Sequence, residues 1–233
     1  MNTSASKSSI SYVQIPCGRA SVRGELAIPN EPRGLVVFAH ATHGGWTNAQ
    51  NWPIAWKLHQ SGYATLLLDL LTPGEASTEA VRGLLCLDIP YLTKRVVAAI
   101  TWVKSQDQLA DLPVACFGSD AGAAAALGAA AAMPAILTVV CRAARTDLIA
   151  EPARHADLPV LLVAGENDRR TLRSNREFAA HAPAARRVKV IKGATHRFTE
   201  RGSLYEVANV TTAWLDERLR DRRLEPESLW TCC

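Results

Sequence analysis

The residues Gly118-Ser119-Asp120-Ala121-Gly122 follow an apolar run, Leu112–Phe117, and open an alanine-rich stretch, Ala121–Met133. A strand, then Gly-x-nucleophile-x-Gly, then a helix presents one side chain on a sharp, strained turn above a sheet. The strand and helix backbones approach closely at such a turn. Small residues are therefore needed two before and two after the presented one. Centred on Asp120, those positions are Gly118 and Gly122; centred on Ser119, they are Phe117 and Ala121. Phe117 fits poorly, so the glycine spacing selects Asp120, although serine is the more familiar nucleophile. Ser119 is left as a residue of the pocket.

A presented nucleophile needs a base, and the base needs an orienting acid. The loop Lys192–Phe198 carries His196 just beyond the apolar run Val188–Ile191 and ahead of the closing helix. Asp168 lies in the loop Gly165–Asp168, after the run Pro159–Ala164. An acid there can accept from the imidazole N–H and fix its tautomer. Glu166 is a neighbour in the same loop, and Asp147, after the preceding strand, is a second candidate acid. The chain order nucleophile, acid, histidine fits this arrangement.

The loop His40–Trp46 is the expected oxyanion loop, with the backbone N–H groups of Ala41, Thr42 and Ala121 as donors. His40 is expected to brace that loop. His43, Trp46 and Tyr91 are expected at the pocket. Trp52 is a further candidate for its apolar wall, although aromatic core is the commoner role for such a residue. No His/Cys/Asp/Glu set has metal-ligand spacing, and the Gly118–Gly122 spacing does not match a phosphate loop. The expectation is neither metal nor cofactor.

The elements that must position these groups alternate. Ile10–Pro16 and Ala20–Ile28 look like an antiparallel edge hairpin. Leu35–Ala39, Tyr63–Leu68, Leu112–Phe117, Ala135–Val140, Pro159–Ala164 and Val188–Ile191 look like buried strands. Helical stretches are Trp52–Gln60, Ile89–Val103, Ala121–Met133, Thr171–His181 and Ser203–Arg220. Strands alternating with helices imply parallel βαβ units, whose ligands bind at the carboxyl ends of the strands.

Composition sets the frame. The 233 residues suit one α/β domain spanning 1–233, with 1–9 and 224–233 as flexible ends. A net charge of +4 with interspersed signs argues against a nucleic-acid partner. No stretch has the length of a membrane span, and the start lacks a secretory pattern. The six cysteines form no Cys-x-x-Cys pair, and Cys116 and Cys141 lie in strand-like runs. A reducing cytoplasm with buried free thiols is expected. The edge hairpin is open to pairing with a second subunit, as a homodimer.

Together these motifs resemble the dienelactone hydrolase family of α/β-hydrolases, in its small Ser-type form. The resemblance is carried by Gly34–His40, Leu66–Pro73, Leu87–Pro90, Phe117–Gly122 and Gly193–His196, in that order. It implies an α/β-hydrolase fold: a mostly parallel eight-stranded sheet, helices on both faces and no large cap domain. The short segment between Val140 and Pro159 agrees, having no room for a helical lid. Two positions depart from the family pattern. The Ser or Cys nucleophile is Asp120, and the glycine after the oxyanion-loop histidine is Ala41.

A carboxylate attacks sp3 carbon better than it sustains acyl transfer, because acyl transfer would give a high-energy anhydride. The expected reaction on a small-molecule substrate is therefore epoxide opening or displacement of a leaving group. Asp120 would form an alkyl ester, and water activated by His196 would hydrolyse it. Ala121, immediately after the nucleophile, is not the tryptophan that usually assists halide departure. The alternatives are a lactone or ester hydrolase, or a cyclase or lyase, using Asp120 and His196 as acid–base groups. A ligand-binding homologue without turnover is the third reading.

Overall fold

The computed structural model describes residues 8–41, 48–182 and 185–224. Strands β1 (Ser9–Cys17) and β2 (Ala20–Ile28) form the expected hairpin. Then follow β3 (Gly34–His40), α1 (Trp52–Gln60), β4 (Tyr63–Asp69), α2 (Pro73–Arg82) and α3 (Ile89–Lys104). The second half runs β5 (Val114–Ser119), α4 (Ala121–Ala132), β6 (Ile136–Arg142), α5 (Glu151–Arg154), β7 (Val160–Gly165), α6 (Arg169–Ala180), β8 (Arg186–Ile191) and α7 (Ser203–Leu224). The strands make one eight-stranded sheet in the order β1-β2-β4-β3-β5-β6-β7-β8. Only the β1–β2 and β2–β4 pairs are antiparallel. The rest of the sheet is parallel, as the continuous apolar runs predict.

Successive strand residues face opposite sides, so each central strand feeds two cores. Leu35, Val37 and Ala39 of β3 pack with α3 and α4, while Val36 and Phe38 pack with α1 and α7. Helix α4 is central and built largely of alanine, which lets it lie close to its neighbours. A Cβ on Gly128 would come within 2.6 Å of Thr93 Oγ1 on α3.

Two helices lie outside the expected set. Helix α5 is a single turn. Helix α2 carries a signal that periodicity misses: Thr72-Pro73-Gly74-Glu75 is a capping box. Glu75 accepts from Thr72 N at 2.8 Å, and Glu75 N donates to Thr72 Oγ1 at 3.3 Å. That reciprocal pair satisfies donors a helix start leaves open, and Pro73 occupies the first turn, where no N–H is needed.

The parallel register aligns the strand ends. His40, Ser119 and Arg142 are direct neighbours across β3, β5 and β6. Each lies two residues beyond Phe38, Phe117 or Val140, which all face the core under α1 and α7. The three side chains therefore form a polar shelf on that face, beneath the loop that presents Asp120.

Candidate functional site

The turn after β5 is sharp. Asp120 has φ 52° and ψ −124°, in the left-handed half of the map, which L-residues rarely occupy. Close packing enforces it: a Cβ on Gly118 would fall 2.5 Å from Ala123 Cα, and one on Gly122 would fall 2.2 Å from Ala39 O. Neither position admits a side chain without moving backbone. Asp120 precedes α4 at the cap position, yet its side chain makes no capping hydrogen bond. Its carboxylate turns to His196 instead, with Oδ1 3.2 Å from Nε2. The neighbouring Ser119 points the other way and is buried.

Asp168 does two jobs. As the cap of α6, its Oδ1 accepts from Thr171 N at 3.2 Å. Its Oδ2 accepts from His196 Nδ1 at 2.6 Å. Partial burial pushes the Asp168 pKa up, but the hydrogen bonds from Thr171 and His196 outweigh it and hold the carboxyl below its ordinary value. The imidazole thus stands between two carboxylates, Nδ1 on Asp168 and Nε2 on Asp120. The side chains of Asp120 and His196 are 50% and 43% exposed, against 12% for Asp168, so the first two face solvent and Asp168 is largely covered.

Loop-to-loop bonds hold His196 in place. Glu166 accepts from Gly193 N at 2.8 Å, and Asn167 Nδ2 donates to Gly193 O at 2.9 Å. A Cβ on Gly165 would lie 2.4 Å from Ala194 O, so the two loops touch backbone to backbone. Glu166 therefore braces the histidine loop. Asp147 is engaged by Arg145 through two bonds of 2.8 Å and does not reach His196.

Of the expected oxyanion donors, Ala41 and Ala121 flank the elbow: a Cβ on Gly122 would be 3.4 Å from Ala41 N. Thr42, His43 and Trp46 lie outside the described residues. His40 does brace the site. Asn48 Nδ2 donates to His40 Nε2 at 2.8 Å, which leaves the ring proton on Nδ1 to donate to Ser119 Oγ at 2.9 Å.

Three expectations need correcting. Ser119 does not line a pocket, because strand alternation turns it into the sheet side of the turn, onto His40. Tyr91 is also elsewhere. Its hydroxyl donates to Glu75, and Arg95 bonds both residues. The cluster lines a cavity of about 400 Å³ with Cys17, Arg19 and Lys94, away from Asp120 and His196. The α2 capping box fixes Glu75, and Glu75 then captures Tyr91. Trp52 is not part of the aromatic core: it is exposed on α1 and stacked on Trp56, with centroids 5.5 Å apart.

Sequence reasoning passed over Arg142 and Gln50. Arg142 is buried at the end of β6. Its guanidinium donates to Gln50 O at 3.4 Å and Gln50 Oε1 at 3.2 Å, and lies 5.9 Å from the Phe198 ring centroid. An arginine ending a buried strand, Ile136–Arg142, was the available signal. Long charged side chains are almost never fully buried without a partner.

Burial, and secondarily the charge of Arg142, pushes the His40 pKa down to about 4. Unfolding would return it to the ordinary value near 6.5. The unfolded chain therefore binds the extra proton between those pH values. His40 contributes its full stabilisation above pH 6.5 and loses it as pH falls toward 4, about 3 kcal/mol in all. Denaturant titrations from pH 7 to 4.5 should show this loss, and a His40→Gln variant should show a shallower slope. Equal slopes would remove His40 as the cause.

Among the described residues, no group of three His, Cys, Asp or Glu side chains is placed to hold a metal ion. Cys116 and Cys141 are free and buried, and burial pushes both thiols up, away from reactivity. No described helix is long and apolar enough to cross a membrane.

The sheet order, the elbow and the histidine after the last strand define an α/β-hydrolase fold. Within that fold the chain belongs to the dienelactone hydrolase family, whose model matches residues 22–218. Hydrolysis is the chemistry of that family. A crystallised dienelactone hydrolase from Anabaena variabilis is 33% identical, with a TM-score of 0.86, over 91% of this chain and 99% of that one. A dienelactone hydrolase-like promiscuous phosphotriesterase from metagenomic libraries shares the fold at 18% identity and TM-score 0.73, over 91% of this chain and 99% of that one. Two Mycobacterium tuberculosis proteins described as putative phosphoribosyl transferases are 38% identical over 208 residues, which is 89% of this chain and 46% of each of theirs. The chain spans about half the length of these curated relatives.

Proposed function

We propose that the protein is a hydrolase that uses Asp120 as its nucleophile at an sp3 carbon, with an epoxide as the preferred substrate class. The observation that carries this reading is the direction of Asp120: on the elbow, uncapped, half exposed and 3.2 Å from His196 Nε2. An Asp120 oxygen attacks an epoxide carbon, the ring C–O bond breaks, and the alkoxide takes a proton from solvent. The carboxylate has become a neutral ester, so the Nε2 edge of His196 no longer faces a charge. Water then attacks the ester carbonyl and gives its proton to His196, while Asp168 supports the imidazolium. The oxyanion forms on Asp120 itself, beside the amides of Ala41 and Ala121. Collapse expels the alcohol, which takes the proton from His196; Asp120 then releases its acid proton to solvent, matching the one taken up at ring opening, and a diol leaves.

In this scheme the water oxygen stays in the Asp120 carboxylate. Turnover of 4-nitrostyrene oxide in H₂¹⁸O should therefore label the peptide containing Asp120. An unlabelled peptide after several turnovers would overturn the covalent reading. A second reading draws on the family itself, represented by the Anabaena variabilis structure. There Asp120 and His196 act as general bases on water, and a lactone is opened without an enzyme ester. That route leaves Asp120 unlabelled while product forms.

A further inference from the structure

A second polar cluster lies outboard of the elbow. Strand β2 runs antiparallel to β4, so the β1–β2 turn, Gly18-Arg19, sits toward the carboxyl end of β4, from which the chain passes into α2. There the turn meets residues of α2 and α3 around the cavity of about 400 Å³. Arg95 reaches the cavity from α3 and is its buried cation, with a side chain 5% exposed. Its Nη2 donates to Glu75 Oε1 at 2.8 Å and to the Tyr91 hydroxyl. Its Nη1 has no partner among the described residues. Buried donors are rarely left so, because an unmade bond to a charged group is costly. Glu75 is already engaged: Oε1 takes Tyr91 and Arg95, and Oε2 accepts from Thr72 N at 2.8 Å.

The charge of the wall is one-sided. Arg19 and Lys94 are exposed beside Arg95, and neither makes an ion pair among the described residues. Partial burial pushes Glu75 up, but its bonds from Tyr91 and Thr72 and the charge of Arg95 outweigh it, so Glu75 stays an anion. Burial pushes the Tyr91 phenol and the Cys17 thiol up, so both stay neutral. Three cations therefore face one carboxylate, a net +2. The remaining lining includes Ala20 and Ala98, which are small and apolar.

We propose that this cavity binds a small organic phosphate monoester, with Arg95 as the buried anchor and Arg19 and Lys94 closing over the phosphate. A phosphate monoester carries about two negative charges near neutral pH and three strong acceptor oxygens, enough for all three side chains. A carboxylate brings one charge and leaves half of the excess unanswered. The volume exceeds that of a bare phosphate and falls within the roughly 300–1,000 Å³ of small-molecule sites, so an organic group has room against the alanines. Neither Asp120 nor His196 lines this cavity, and the site rests on none of the chemistry proposed above.

The test is calorimetric titration of the full chain with phenyl phosphate, inorganic phosphate and benzoate, with potassium chloride holding ionic strength constant. Phenyl phosphate should saturate one site and bind tightest of the three. Arg19→Ser combined with Lys94→Ser, both at exposed positions, should weaken it about tenfold and leave the melting temperature of the free protein unchanged. Arg173→Ser, which removes an exposed cation of α6, should leave the affinity as it was. Arg95→Gln should abolish binding; if it does not fold, the double variant and its control decide alone. No saturable binding, or an equal loss in Arg173→Ser, would overturn the site. Benzoate binding as tightly as phenyl phosphate would overturn the phosphate assignment, and inorganic phosphate binding as tightly would overturn the organic part.

Discussion

A His196→Gln variant treated with 1,2-epoxy-3-(4-nitrophenoxy)propane should stop at a stable ester on Asp120. Intact mass should rise by one reagent, and peptide mapping should place it in the segment that begins α4. Turnover should fall about 10³- to 10⁴-fold, the range lost with a general base. The reason is the division of labour across the imidazole. In the proposed mechanism, attack on the epoxide needs only Asp120, already exposed and turned outward. Hydrolysis of the ester, on the same proposal, needs a base against water, the role given to His196, which a 2.6 Å bond ties to Asp168. Removing the base leaves the first step and blocks the second. Glutamine keeps a polar side chain near Asp168 without a ring nitrogen to take the proton. A variant that loses turnover but gains no mass would place His196 in the first chemical step.

Asp120→Asn should be the more severe change in overall rate, about 10⁴-fold or more, since an amide neither attacks carbon nor takes a proton. Asparagine is the suitable replacement because it tolerates positive φ better than most residues, and Asp120 sits at φ 52°. The fold should survive, as circular dichroism and a melting curve would show. Residual turnover within tenfold of the parent would exclude Asp120 from the chemistry. Attention would then turn to bound water and to His196 alone. Ser119 offers no substitute, because it is buried and bonded to His40.

Much of this was legible in the chain. Apolar runs long enough for a strand and no longer marked the parallel sheet, because strands buried on both faces have no polar side to show. Glycines at 118 and 122 marked the elbow, because only a residue without Cβ lets β5 and α4 touch there. Their spacing also picked Asp120 over Ser119, and the structure has Asp120 outward and Ser119 inward. The α2 helix was legible too, but in its cap and not in its periodicity.

Other features required the fold. Asp168 was a plausible acid, but Glu166 and Asp147 were chemically as good. Only loop packing decided among them: Gly193 takes Glu166, Arg145 takes Asp147, and Asp168 is left for His196. Tyr91 looked like a pocket residue until Glu75, on another helix, and Arg95, one turn further along its own, claimed it. Arg142 carried no motif at all. Its place comes from register, which sets it beside Ser119 and beneath the elbow, where its charge is shut away from water. Spacing along a chain fixes which side chain a tight turn can present, because sterics at a turn are local. Which groups face that side chain is decided by strand pairing and loop contacts between distant segments, and those exist only once the sheet has formed.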